Sequence, residues 1–430
     1  MFYREAGDFK TSYVDDGQTF PIKFDRYRYY FVLFVAFAIV PLLVNDYWVN
    51  AIFLPFLIYS IAAIGLNILV GYCGQVSLGT GGFMAVGAYA CYKFMTGMDI
   101  WIGGVQYALP PINIFFSVIL AGFVTAFVGL LFGLPSLRIK GFYLAVATLA
   151  AQFFLVWLFN KWSWAYNYSA SGQINAPERE IFGVAITGPS TEAWATYLFC
   201  LVFATLTALV ARNLTRGSVG RKWMAIRDMD IAAEIIGVNP LRAKLSAFAV
   251  SSFYVGIAGA LFFAVYLGAV EVGEAFGIQK SFIVLFMVII GGLGSIFGSF
   301  AGAAFLVLLP VLLKLMLADQ AQSISPVANV FGWLFLALFA ISAIMFLVSA
   351  VRSRSIISTS ALYWLGASIA TFIIYALTIG GMGWPTDIVA HLQFVIVGAL
   401  IIIFLVAEPH GLAQLWRVSK EKLRLWPFPH

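Results

Sequence analysis

Twelve runs of nearly uninterrupted apolar residues divide this chain, and their length leaves little freedom of fold. They lie near residues 30–45, 51–70, 79–96, 112–133, 142–160, 194–211, 244–268, 281–291, 297–316, 329–350, 361–380 and 391–407. About 20 helical residues cross the ~30 Å hydrocarbon core of a bilayer, whereas a barrel strand needs about ten in strict alternation. The runs have the helical length and lack the alternation; only 281–291 is too short to cross unaided. The sequence is 62% hydrophobic and 10% charged, where soluble domains are roughly half apolar and a quarter charged. The expected fold class is an all-α polytopic membrane protein of about 10 to 12 helices, some broken or short.

The charges give the spans a direction. Residues 1–29 mix Arg4, Lys10, Lys23, Arg26 and Arg28 with Glu5, Asp8, Asp15, Asp16 and Asp25, unlike a cleavable signal peptide, so a retained cytosolic tail is expected. With the N-terminus inside, the cytosolic segments are this tail, 134–141, 212–244, Arg352 with Arg354, and the end after Glu408, and together they hold 20 of the 25 Lys and Arg. That is the positive-inside distribution. It accounts for the net charge of +6 without nucleic acid. Trp162, Trp164, Tyr166 and Tyr168 fall in the longest outside loop as interfacial aromatics or the lining of an entrance. Cys73, Cys91 and Cys200 are scattered through apolar segments, so neither disulfides nor structural zinc are expected.

All nineteen carboxylates lie in loops, tails or span ends, and so do His391, His410 and His430. Ion-driven carriers commonly keep an Asp, Glu or His inside the membrane as relay or ion ligand. The chain is therefore expected to have no coupling-ion site, and any energy for transport would come from elsewhere. No GxxxxGK[ST], HExxH, GxSxG or triad pattern is present, so no enzyme activity and no cofactor are expected in this chain.

Two stretches break the helical pattern. In GYCGQVSLGTGGFMAVGAYA (71–90) six glycines surround Gln75, Ser77 and Thr80; in GGLGSIFGSFAGAAF (291–305) Gly294, Gly298 and Gly302 recur every four residues. Such glycines either let helix backbones pack closely or mark an interrupted helix whose freed backbone lines a cavity. The polar side chains favour the cavity for 71–82, while close packing and a tight turn both fit 291–302.

The segment GRKWMAIRDMDIAAEIIGVNP (220–240) is the exception to the apolar composition, with Arg221, Lys222, Arg227, Asp228, Asp230 and Glu234 in one cytosolic connection. Asp228 suits an N-cap, Asp230 the first turn and Gly237 with Pro240 the stop, predicting a helix over about 229–236. Ile231, Ala232, Ile235 and Ile236 would form its apolar stripe. That stripe can pack on the protein's own spans, lie on the membrane surface, or fill a groove on a partner.

Several motifs in order carry a family resemblance. GYCGQVSLGTGGFMAVGAY, LPSLRIKGFYLAVATLA, GRKWMAIRDMDIAAEIIGVNPLRAKLSAFAVSSFYVGIAGALF, GGLGSIFGSFAGA and AEPHGL, together covering roughly 50–316 and 391–415, resemble LivM-type permeases of branched-chain amino acid ABC transporters. The resemblance implies an ABC importer transmembrane subunit in a bacterial inner membrane, both termini cytoplasmic. It also implies a LivH-type second permease, two ATP-binding subunits holding the ATP and Mg, and a periplasmic solute-binding protein. Arg227, Asp228, Asp230, Ile231, Glu234, Ile235 and Gly237 then correspond to the segment that docks on the ATPase. The implied layout is a tail at 1–29, a permease core at 30–316 with its coupling segment at 212–244, a two-helix insertion at 317–390, a last span at 391–408 and a tail at 409–430. The insertion departs from the family pattern. So do Thr80 and Gly81, where the family more often has a larger polar residue and an alanine, which leaves the solute open.

The expected function is inward transport of branched-chain or other hydrophobic amino acids. Asn67, Gln75, Ser77, Thr80 and Tyr143 are the candidate polar points along the path, each of which could instead satisfy a neighbouring helix backbone. Urea, short amides and aromatic acids are alternative solutes, and an ion-coupled carrier or an intramembrane enzyme are readings from other classes.

Overall fold

The second apolar run forms one helix, α2 (Asp46–Tyr72), apolar on every side, so it has no face to give to water and fits the inside of a bundle as well as lipid. It is the innermost element, with 89% of its most apolar stretch buried. The structure, a computed structural model, describes residues 12, 23–102, 105–136, 143–181, 183–188, 190–322, 337–346, 348–349, 363–370, 395, 398–399, 402 and 411–425. The chain divides into two compact units, Met1–Leu308 with Ile401–His430, and Leu309–Leu400.

In the first unit α1 (Lys23–Phe34) continues through a π-helical stretch, Val35–Ile39, and α2 follows. Then come α3 (Thr80–Thr96), α4 (Ile114–Ser136), α5 (Tyr143–Lys161) and α6 (Ala193–Arg216). Two short helices, α7 (Ser218–Asp228) and α8 (Asp230–Ile235), lead into α9 (Pro240–Leu267). The fold ends with α10 (Val272–Gly291), α11 (Ile296–Gln322) and α12 (Gly411–Leu425). Among the described residues six helices are long and apolar enough to span a bilayer, and Tyr29–Leu43, Ile296–Leu312 and Ala337–Phe346 are shorter apolar ones. The protein is an all-α polytopic membrane protein.

In lipid, helices associate through packing rather than through a hydrophobic drive, and small residues set the centre of this bundle. Gly87 of α3 meets the backbone of Gly256 on α9 so closely that a Cβ would overlap its carbonyl, and Gly259 meets the carbonyl of Met84 in the same way. On the other side of α9, Gly129 of α4 receives Ser252 and Gly256 receives Thr125. Helices α2, α3, α4 and α9 therefore interlock, and α9 is 78% buried over its most apolar stretch while α4, α5 and α10 are each 39% buried.

The ends of the bundle differ. At one end, where α3, α5 and α9 finish, lie three two-stranded antiparallel pairs: β1 (Met98–Ile102) with β2 (Val105–Leu109), β3 (Ile174–Asn175) with β6 (Ala269–Val270), and β4 (Arg179–Ile181) with β5 (Val184–Thr187). At the other, α7 meets the end of α2, and α8 lies against α9.

The short run expected at 281–291 is the second part of α10. That helix starts at Val272 and breaks at Phe276 and Gly277, giving 20 residues in all. In the second unit Ala337–Phe346 and 363–370 are helical. The remainder of the expected spans 329–350 and 361–380, with Arg352 and Arg354, and most of 391–407 lie outside the described residues.

Candidate coupling and translocation site

The charged connection folds as two helices in tandem, so Asp228 is not the N-cap expected of it. It is the last residue of α7, its carboxylate pairs with Arg227 at 2.9 Å, and the cap position of α8 falls to Met229, extended at φ −161°. A single extended residue between the helices leaves α8 shorter than expected, Asp230–Ile235. Gly237, at φ 88°, takes the left-handed conformation that ends it, with its N–H bonded to the Glu234 carbonyl.

The two helices are held very differently. Trp223 of α7 is fully buried and donates its indole N–H to Ser246 Oγ of α9 at 2.9 Å, with Ile226 buried beside it. On α8 only Ala233 is buried. Ile231, Ile235 and Ile236 are 65%, 81% and 75% exposed, and Met229 is 65% exposed. The expected apolar stripe exists and does not pack on the protein's own spans. Glu234 and Ala232 are exposed with it, and Asp230 faces Lys244 of α9 at 3.8 Å.

Arg227 reaches the other way. Its Nη1 donates to the carbonyl of Gly71 at 2.9 Å, and its aliphatic stem covers Gly74. Residues 73–79 form the non-helical link between α2 and α3, so the helix break expected in this stretch is present. Beside it opens a cleft of about 800 Å³ lined by Gly74, Gln75, Arg227, Asp228, Asp230 and Lys244 among others. Gln75 is half-buried there; Ser77 and Thr80 are buried behind it.

Asn67 is held away from any such cleft. Its side-chain amide donates to the carbonyl of Ser295 and to Ser299 Oγ, each at 2.9 Å, and its oxygen accepts from Gly294 N–H at 2.8 Å. It ties α2 to the turn between α10 and α11, as in the backbone-satisfying alternative for such residues. The turn and the close packing expected of 291–302 both occur. Gly294 sits at φ 74° in the turn, and Gly298 and Gly302 lie against the backbones of Gly291 and Met287. Tyr143 begins α5, with its side chain outside the described residues.

One polar cluster escaped the sequence reading. Gln152 of α5, 1% exposed, accepts from Gly82 N–H, donates to the Phe276 carbonyl at 2.7 Å and receives Ser281 Oγ at 3.1 Å. Ser281 in turn accepts from Gly81 N–H at 2.8 Å, and Thr148 accepts from Leu78 N–H at 2.9 Å. These side chains supply the partners that the first turn of α3 lacks, and they close the break in α10. Gln152 as an amide within an apolar run was the available signal.

Comparison with known proteins decides the family. The family model described as the branched-chain amino acid transport system / permease component matches residues 49–348. The chain belongs to this family. Similar members of the branched-chain permease family include the high-affinity branched-chain amino acid transport system permease proteins LivM of Salmonella typhimurium and Escherichia coli. Each is 34% identical over 273 residues, covering 58% of this chain and 60% of the relative. The chain thus spans less than two thirds of these two relatives' length. A probable branched-chain amino acid transport permease protein LivM of Methanocaldococcus jannaschii is 25% identical over 292 residues, covering 62% of this chain and 81% of that one. No solved structure matches the chain. Members of the family are transport permeases rather than enzymes, and among the described residues no group of His, Cys, Asp and Glu could hold a metal ion.

Proposed function

We propose that the protein is a transmembrane permease subunit of an ATP-driven importer of branched-chain or other hydrophobic amino acids, and that α7 and α8 are its handle for a separate ATPase. The observation that carries this reading is the uncovered apolar ridge of α8. Met229, Ile231, Ile235 and Ile236 stand out beside Asp228 and Glu234, on a segment anchored to the bundle by Trp223. A helix of this kind fits a hydrophobic groove on a partner, with flanking charges setting orientation. Family membership supports the solute class.

In this reading the α7–α8 end faces the cytoplasm of a bacterial inner membrane, both termini lie on that side, and ATP and Mg bind the partner. The assembly contains a second permease of LivH type, two ATP-binding subunits and a periplasmic solute-binding protein. Gln75, Ser77 and Thr80 belong to the path near its cytoplasmic mouth. The test is Glu234→Lys and Ile235→Asp in the assembled transporter. Both variants insert normally, and both lose leucine uptake and its stimulation of ATP hydrolysis. Normal uptake with normally stimulated hydrolysis in both removes the coupling assignment.

A further inference from the structure

Lys280 places an ammonium deep in the bundle. Its Nζ donates to Tyr59 Oη at 3.0 Å and lies 5.1 Å from the ring centroid of Phe262 and 5.8 Å from that of Tyr59. Tyr59 is the central residue of the 27-residue α2, so about 20 Å of helix separates it from either end. The lysine is therefore at mid-depth, and its bond to Tyr59 directs it inward rather than toward a headgroup layer. Among the described residues no carboxylate forms an ion pair with it. An ammonium has three protons to donate, and Tyr59 takes one. Tyr266 packs on Phe262 with 5.4 Å between ring centroids, extending the aromatic wall. Lys280 and Tyr266 are both half-buried, so this aromatic-walled cation is open on one side.

Cations persist in the apolar part of a membrane protein where they face a pathway or a partner. A fixed ammonium matches a carboxylate, and aromatic walls match an apolar side chain. We propose that Lys280, with Tyr59, Phe262 and Tyr266, binds the carboxylate end of the amphipathic solute midway along its path. The proposal rests on the permease reading for the solute and on this geometry for the site.

The experiment places a cysteine at Val265, half-buried next to Tyr266 and not itself part of the proposed site, in the full chain within membranes and follows its rate of labelling by a neutral maleimide. Millimolar leucine is expected to slow labelling at least threefold. Leucinol, in which CH2OH replaces the carboxylate, is expected to leave it unchanged. Lys280→Met, which removes a charge from an apolar setting and so inserts readily, abolishes protection by leucine, and Lys280→Arg keeps it. If Val265→Cys fails to insert, Leu267→Cys, at an exposed position, replaces it. Equal protection by leucinol, or protection that survives Lys280→Met, overturns the site. So does a labelling rate indifferent to leucine in a chain that transports it, as a lipid headgroup on the ammonium would produce. Uptake by the unsubstituted transporter reports on the permease reading separately: protection without leucine uptake leaves the site standing and removes the solute assignment.

Discussion

Arg227 Nη1 bonds to the carbonyl of Gly71 at 2.9 Å, so the last turn of α7 is joined directly to the end of α2. Four residues back on α2, Asn67 bonds to Gly294, Ser295 and Ser299 around the turn from α10 to α11. A displacement of α7 thus meets two interrupted helices through a few polar contacts, not through apolar packing that can slide.

Replacing Arg227 with Met cuts the first of these contacts while keeping the stem over Gly74. A hydrogen bond from a charged donor contributes about 1.5–3 kcal/mol, so coupled leucine uptake should fall about tenfold or more. Basal ATP hydrolysis by the assembled transporter should persist. Arg227→Lys should recover little, because a point-charge ammonium cannot serve Asp228 and Gly71 together as the guanidinium fork does. Parallel assays of uptake and hydrolysis decide this, and equal loss of both would mean that Arg227 merely holds the fold.

Asn67→Asp should be more damaging than its small change in shape suggests. The carboxylate keeps the acceptor for Gly294 N–H but turns a donor amide into an oxygen facing the Ser295 carbonyl. Each buried polar group left unpaired costs about 1–3 kcal/mol. Thermal unfolding in detergent should shift downward for Asn67→Asp and by less for Asn67→Ser, with Asn67→Leu, which leaves the whole turn unpaired, also unstable.

What could be read in the sequence was what periodicity and charge encode. Apolar run length identified the spans, and the cluster from Arg221 to Glu234 identified the connection that stands apart from them. The misplacements arose where local signals met tertiary partners. Asp228 has the chemistry of an N-cap, yet α7 extends through it because Trp223 and Ile226 fix that helix against α9. Lys280 immediately precedes the short apolar run 281–291. The break at Phe276 and Gly277, closed by Gln152, lets α10 continue past it and carries the charge inward. No span-by-span reading contains the Gln152 contact, because its partners lie 70 and 124 residues away.

The crossing of α3 and α9 gives a packing prediction. A Cβ on Gly87 would overlap the Gly256 carbonyl, which belongs to helix backbone and cannot rotate aside. Overpacking typically costs about 1–3 kcal/mol and more where backbone must move. Gly87→Ala should therefore lower the unfolding temperature in detergent, and Gly87→Val should prevent recovery of folded protein. Gly183, whose added Cβ would meet nothing, lies at φ 80° in the turn between β4 and β5, so Gly183→Asn carries only backbone strain, least for Asn among the common side chains, and should cost less than Gly87→Val. Similar unfolding temperatures for Gly87→Ala and the unsubstituted chain would show that the two helices are farther apart than described.

Cys73 gives a prediction about reactivity at the cleft. It follows directly on α2 and lines the cleft, yet it is fully buried, and burial pushes its thiol up to about 12, only partly opposed by the positive charge of Lys244. The thiolate is the nucleophile, so a raised value means far less of it at neutral pH than for a free cysteine. In native membranes at pH 7.4 Cys73 should resist maleimide, and its rate should climb with pH well beyond the point where an ordinary thiol has levelled off. Lys244→Met removes the opposing charge and should slow the reaction further near neutral pH. Gln75→Ala, which opens the cleft without touching Lys244, should quicken it. Mass spectrometry of the labelled peptide distinguishes Cys73 from Cys91 and Cys200, and ready labelling of Cys73 at pH 7.4 in the unsubstituted chain would show that the cleft opens to solvent at the end of α2.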